Sequence, residues 1–419
     1  MKHAIDISVA RSPIWTAPGS PAYLRISIAL FLAGFATFSL LYCVQPLLPA
    51  FTQDFRVGPA ESSLALSLTT GFLALAILCA GAGSEVMGRR GLMFASMCGA
   101  AMLNIAGAVA PNWHTLLVAR AAEGFVLGGV PAVAMAYLAE EIDPRGLGLS
   151  MGLYVGGTAF GGMFGRVCIG ALTELTSWRV ALGVMGAVDL IAAIGFLALL
   201  PASRNFTRRS GLEPAYHIAA WRGHLSNPGL PFLFLIGFLV LGAFATVYNY
   251  AGFRLAAAPY SLTSTEISLI FVAYLFGMIA SSIAGALADR LGRGPTLIAG
   301  IVIAAIGVGL TLSQGLAAII GGVALLTIGF FFAHSVASGW VGHMAIGAKG
   351  HASSLYLLAY YAGASVMGSL GGWFWTAGRW PAVAGFAGAL LALALSAALW
   401  LQHGARLSSD GASRPTDHI

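Results

Sequence analysis

Charge is what this sequence has least of: Asp, Glu, Lys and Arg make up 9% of its 419 residues, against about 25% in an ordinary soluble domain. A chain so poor in charge, and 58% hydrophobic, cannot cover a water-facing surface, which excludes a large soluble protein. Cysteine is scarce as well. Cys43, Cys79, Cys98 and Cys168 fall singly in apolar runs without CxxC spacing, so they read as small buried hydrophobes and leave no metal or disulfide framework. No GxGxxG or Walker pattern lies outside an apolar run, and no His, Asp, Glu or Ser cluster has catalytic spacing. Neither a bound cofactor nor a membrane enzyme is indicated. Residues 1–24 contain no apolar stretch of signal-peptide type, so the first apolar run is expected to be retained.

Long apolar runs are what is present. A helix crosses a bilayer with about 20 such residues, and runs near 26–50, 61–83, 91–110, 113–139, 147–172 and 178–200 predict six crossings. Six more are predicted near 230–252, 265–287, 294–313, 316–345, 353–375 and 380–402. The expected fold is an all-α membrane protein of twelve transmembrane helices in two six-helix pseudo-symmetric halves. Its units are an N-terminal segment 1–25, a bundle 26–200, a linker 201–229, a second bundle 230–402 and a tail 403–419. With the N-terminus inside, fifteen Lys and Arg residues fall on the inner side and only Arg56, Arg179, Arg254 and Arg379 on the outer. By the positive-inside rule both termini are cytoplasmic. The net charge of +6 is therefore a topology signal and no nucleic-acid footprint. Trp113, Trp178, Tyr260 and Trp380 sit at outer ends, as an aromatic belt should.

The halves repeat each other. Gly81–Arg89, GAGSEVMGR, recurs as Gly285–Arg293, GALADRLGR, each after the second crossing of its half, and Phe35-Ala36-Thr37 recurs as Phe244-Ala245-Thr246. Parallel repeats of this kind place a solute site at their interface near the bilayer midplane.

On these residues the chain resembles the major facilitator superfamily over nearly its whole length. Gly285–Arg293 meets the family's GxLADRxGR signature in full, whereas the first copy has Glu85 and Val86 in place of its acid and first arginine. Leu116, Arg120, Glu123 and Gly124 match LxxxRxxQG with Glu for Gln, and Gly157–Gly162 is similar to the antiporter motif GPxxGG with Thr158 for proline. The runs LYCVQPLLP, GGMFGR, NYAGFRL, FFAHSVASGW and KGHASSLYLLAYYAGAS resemble YnfM-type members of the drug:proton antiporter branch. The resemblance implies a monomeric multi-pass transporter of the bacterial inner membrane, exporting a small organic compound in exchange for protons by alternating access. Thr158 keeps an alternative open, proton-linked uptake of an organic acid or sugar.

Ionised side chains in mid-membrane cost about 2.5–3.5 kcal/mol, so each needs a reason. Glu123 lies three residues from Arg120, close enough to pair on one helix face, and Arg166 is expected at the same depth, facing one cavity with Arg120. Arg120, Glu123 and Asp189 are the candidates for proton coupling, either as titrating groups or as buried structural pairs. Asp189 alone reads equally as a neutral acid bonded to a neighbouring helix. Arg166, Tyr42, Gln45, Tyr248, Asn249, Tyr250, Tyr356, Tyr360 and Tyr361 are the candidate solute cavity, with aromatic faces and polar tips that suit an organic solute or serve ordinary packing. His334 reads as a packing residue. Glu85, Gly88, Arg89, Arg90, Asp289, Arg290, Gly292 and Arg293 are expected to form inner gating loops, or else a mere charge cluster. Gly157, Gly161, Gly162 and Gly165 present small residues for close helix packing.

Overall fold

In lipid a chain must satisfy its backbone hydrogen bonds internally, so each apolar run closes as a helix. The computed structural model describes residues 15–205 and 214–412, with the side chains of residues 80–87, 132, 214 and 404–412 outside the description. The side chain of Glu85 and the whole of Lys2, Arg11, Arg208, Arg209 and Arg414 thus fall outside the described residues. The first half comprises α1 (Pro21–Tyr42), α2 (Leu48–Phe55), α3 (Pro59–Ser62), α4 (Leu64–Met87), α5 (Arg89–Ala108), α6 (Trp113–Leu127), α7 (Pro131–Glu141), α8 (Pro144–Leu175) and α9 (Trp178–Leu199). A linker helix α10 (Pro214–Leu225) precedes α11 (Leu230–Ala256), α12 (Ser264–Ser268), α13 (Tyr274–Leu291), α14 (Arg293–Leu310), α15 (Leu316–Met344) and α16 (Lys349–Ala412).

Among the described residues ten stretches are long and apolar enough to span a membrane. The fourth expected crossing is divided between α6 and α7 at residues 128–130, just before Pro131, which has no N–H to continue the helical ladder and whose ring clashes with the preceding turn. The last two expected crossings run together in α16 and are parted by a backbone break at Gly378 and Arg379. Counting these restores twelve. The first crossing departs from expectation: α1 stops at Tyr42 and the chain continues through a short 3₁₀ turn, Gln45–Leu47, into α2. Pro46 and Pro49 remove two helical donors there, and the interruption sets Tyr42 and Gln45 at the centre of the molecule.

The halves use the same packing. α1 lies against α8, α5 against α9 and α4 against α6, and in the second half α11 lies against α16 and α13 against α15. Glycine permits the closest of these approaches. A Cβ on Gly157, Gly161 or Gly165 would intrude on the backbone of Phe31, Phe35 or Ser39, and one on Gly363 on the backbone of Phe238. Gly162, by contrast, faces the Arg166 guanidinium. The repeated loops also match in conformation, with Gly88 at φ 82°, ψ 151° and Gly292 at φ 91°, ψ 154°, a region costly for any residue with a Cβ.

Contacts between the halves gather toward the end that carries loops 56–58, 109–112 and 257–263. There α4 lies against α16 and α8 against α12. Ser365 Oγ donates to Ser67 O at 2.6 Å, Ser369 Oγ to Ser67 Oγ at 2.7 Å, and Thr265 N to Glu174 Oε2 at 3.0 Å. At the opposite end Asp289 and Arg290 are exposed, and among the described residues neither takes part in an ion pair.

Candidate solute site between the halves

The end of α1 organises the site. A helix leaves its last carbonyls without partners, and here a guanidinium takes two of them: Arg120 Nη2 donates to Leu40 O at 3.3 Å and Leu41 O at 3.1 Å. Its Nε donates to Ala65 O at 3.2 Å, and Nη1 to Asn104 Oδ1 at 3.4 Å and Glu123 Oε2 at 2.5 Å. Arg120 and Glu123 are 1% and 0% exposed. All five donors of Arg120 are thereby spent inside the first half. Glu123 is less well served, since its Oε1 is buried with no hydrogen-bond partner.

One turn before the break, Ser39 Oγ lies 2.8 Å from both carboxyl oxygens of Asp189. Asp189 is fully buried, and no cation contacts it among the described residues. On the far side of the break, Arg166 Nε donates to Gln45 Oε1 at 2.7 Å and Nη1 to Gly162 O at 2.8 Å. Its guanidinium carbon lies 4.1 Å from the centre of the Tyr42 ring, 4.8 Å from Phe271 and 4.9 Å from Tyr274. Arg166 is 1% exposed, and among the described residues no carboxylate pairs with it. Ring faces offset part of its desolvation. Gln45 Nε2 in turn donates to Asn249 Oδ1 at 2.7 Å, which carries the chain of bonds into the second half. Asn249 Nδ2 is buried and has no partner.

Arg120 and Arg166 therefore do not share a cavity, although they were expected at one depth. Arg120 turns into the first bundle, while Arg166 points across the seam at α13. Tyr248 stays near the site, stacked on Phe271 with ring centres 5.0 Å apart and bonded to Thr327 Oγ1 at 2.7 Å. Tyr250 turns away to Gly368 O at 3.1 Å. Tyr356, Tyr360 and Tyr361 line α16 beside His334, whose Nδ1 lies 2.9 Å from Tyr356 Oη and whose ring is centred 4.4 Å from that of Tyr360. Four residues escaped the sequence reading: Ser39, Asn104, Phe271 and Tyr274. Ser39 falls six positions before Gln45 in the same run, and Phe271 and Tyr274 were visible only as apolar filling of the eighth crossing.

Of the loop residues, Arg89 pairs with Glu140 at 2.7 Å, while Arg90 Nη2 donates to Leu197 O at 2.6 Å. Arg293 is half-buried at the start of α14.

An arginine ringed by aromatics at the seam of two membrane-embedded helical repeats is the layout of a solute carrier. The family model of the Major Facilitator Superfamily matches residues 30–260 and again residues 250–416. The chain is 46% identical to the MFS-type transporter YybF of Bacillus subtilis, covering 91% of this chain and 94% of that protein. It is 43% identical to the inner membrane transport protein YnfM of Escherichia coli, covering 90% of each. In fold it is similar to the nucleoside transporter NupG, with a TM-score of 0.74 at 11% identity, covering 90% of this chain and 99% of that one. The chain belongs to the Major Facilitator Superfamily, and it is a membrane transporter of YnfM type.

Proposed function

We propose that the protein is a proton-coupled exporter, of the drug:proton antiporter branch, for a small organic compound bearing an anionic group. It works by alternating access as a monomer, in a bacterial inner membrane, with both termini cytoplasmic. Arg166 carries this reading. A cation taken out of water without a counter-charge costs several kcal/mol, and the anionic group of a solute would supply that charge at the joint between the halves. The surrounding rings and the idle Asn249 Nδ2 suit an organic body with an acceptor.

Coupling follows from the short segment Ser39–Gln45, which touches three of the buried charges of the first half, Asp189, Arg120 and Arg166, and reaches Glu123 through Arg120. Ser39 holds Asp189, the carbonyls of Leu40 and Leu41 hold Arg120, and Tyr42 and Gln45 hold Arg166. A proton taken up at Glu123 would weaken its hold on Arg120, and the two carbonyl bonds would pass that displacement along the end of α1 to Arg166. Asp189 is the reserve carrier. Asp289 and Arg290, in no ion pair among the described residues, support an inward-open state, in which the gating contacts of Gly285–Arg293 are released.

The substitution of Thr158 for the antiporter proline favours a second reading, proton-linked uptake of an organic acid or sugar. Inside-out vesicles separate the two. We expect an acid-inside gradient to drive accumulation of organic anions but not of matched neutral analogues; equal transport of the neutral analogues would remove Arg166 from recognition, and accumulation only in right-side-out vesicles would reverse the direction. Reporters fused after residue 205 and at the C-terminus should report cytoplasm, and insertions near Arg56 and Arg254 periplasm.

A further inference from the structure

At the end of the first half where the linker departs, the start of α1, the start of α5, the end of α9 and residues 200–204 enclose a groove of about 540 Å³. Three of its lining residues are arginines, Arg25, Arg90 and Arg204, and its one acid is Glu141. That acid is already engaged. Its Oε1 accepts from Ser203 Oγ at 2.5 Å, Arg204 N at 2.7 Å and Asn205 N at 2.9 Å, fastening the linker to the end of α7. Among the described residues none of the three arginines is in an ion pair, and nearby charges pair with one another instead: Arg89 with Glu140, Arg145 with Asp143. Arg90 has a buried Nε with no partner. The groove is further lined by Ser20, Pro21 and Ala22 at the start of α1, where the positive end of the helix dipole favours an anion.

Two sources would offer such a groove a phosphate group, the cytoplasm and the membrane. The surface beside it points to the membrane. Leu24 and Ile28 on α1 and Ile191 and Ile194 on α9 are 59%, 42%, 70% and 63% exposed, so apolar walls on two of the groove's own helices run from its rim toward the bilayer. A headgroup phosphate seated among the arginines would have acyl chains laid along those walls, whereas a soluble phosphate would leave them unused. We propose that this groove is a binding site for an anionic phospholipid, held by Arg25, Arg90 and Arg204, and that the bound lipid staples the first crossing to the linker.

Native mass spectrometry of the full-length protein with added lipid tests this. Phosphatidylglycerol should be retained roughly tenfold better than phosphatidylcholine, and Arg25→Gln combined with Arg204→Gln should abolish that preference. Both side chains are exposed, so folding should survive, and Arg25→Lys with Arg204→Lys should restore most of the binding. Arg56→Gln with Arg379→Gln removes two charges at the other end and should leave the preference intact. Retention of phosphatidylglycerol by the inner glutamine pair, or equal loss in the outer pair, overturns the site. Inorganic phosphate at millimolar concentration should not displace the lipid. Binding of inorganic phosphate without any lipid preference would make this a soluble-phosphate site and overturn the lipid assignment.

Discussion

The two halves share a fold and divide the chemistry. All three carboxylates that are buried among the described residues, Glu123, Glu141 and Asp189, lie in the first half, as do Arg120 and Arg166. The second half answers with rings: Phe244, Tyr248, Phe271, Tyr274, Phe330 and Tyr360 pack, stacked or edge-on, in one continuous cluster. Glycine-on-backbone packing is the part common to both, at Gly161 on Phe35 and at Gly363 on Phe238. The repeat therefore preserves what close helix contact requires, while buried acids, which are costly in mid-membrane, are kept in one copy; Arg254, the buried arginine of the second half among the described residues, donates to the carbonyls of Thr311 and Ser313 near a loop. Solute charge and proton would be read by the first half, and solute shape by the second.

The largest effect should come from the residue on the seam. Arg166→Ala is expected to lower solute affinity by at least about a hundredfold, the loss that follows from about 3 kcal/mol of buried charge contact. Arg166→Lys should rescue it poorly, because a point charge replaces a planar fork lying between rings. In the second half, His334→Gln should retain most of the transport. Equal damage from both variants, measured as binding to the purified protein, would break the division between charge and rings.

Next in size is Glu123→Gln, which keeps shape and hydrogen bonding and removes titration. Solute binding should persist, its pH dependence across roughly pH 5–9 should flatten, and gradient-driven accumulation should stop. An unchanged pH slope would move the proton site to Asp189 or out of the first half altogether.

The sequence made the frame legible and the site only in part. Crossing number, the repeat and the family followed from apolar run length and from Gly81–Arg89 against Gly285–Arg293, because membrane insertion and tight turns depend on local composition. The pair Arg120–Glu123 was legible for the same reason, being three residues apart on one helix. What was hidden was direction. Helical rise set Arg120 and Arg166 at one depth, yet their azimuth depends on which neighbours α6 and α8 meet, and on the end of α1 at Tyr42. Asn104 and Tyr274 join the site only through tertiary contact, and no local pattern marks them.

A smaller effect tests whether the common packing is equal in both copies. Gly161→Ala and Gly363→Ala each push a Cβ into a facing backbone, an overpacking that typically costs about 1–3 kcal/mol. Both should lower thermal stability in detergent by similar amounts while leaving solute selectivity unaltered. A large effect in one half alone would show that the other helix pair yields, and that the repeat is one of sequence more than of mechanics.

The smallest effect concerns the turns that join the fourth and fifth crossings of each half. In the first half this turn is Ile142–Asp143, covered by Thr16, whose N donates to Glu141 O at 2.8 Å and whose O accepts from Asp143 N at 3.1 Å. In the second half it is residues 345–348, covered by α10, with His224 Nε2 lying 3.2 Å from Ala348 O and His217 Nδ1 lying 2.8 Å from His351 Nε2. Only the first turn carries an acid. Asp143 caps α8 by accepting from Arg145 N at 2.9 Å and binds the Arg145 side chain at 2.8 and 3.0 Å. The side-chain bonds from Arg145, then its backbone N–H, hold the Asp143 carboxyl down at about 2, below its ordinary value of 3.8. A folded value below the unfolded one means that the contribution to stability is complete above about pH 4. It is lost as the pH falls toward 2. Because Arg145 is exposed and Asp143 only half-buried, salt should screen most of it. Asp143→Asn keeps the capping oxygen and removes the charge, so at neutral pH amide exchange over residues 145–150 should rise only slightly, and less in high salt. The 349–354 segment of the second half, tied by histidines instead, should show no change in that variant. A several-fold rise at 145–150 that salt does not diminish would mean that the turn depends on the hydrogen-bond geometry of the carboxylate and not on a screened charge, and that the two turns are less alike than their shared covering suggests.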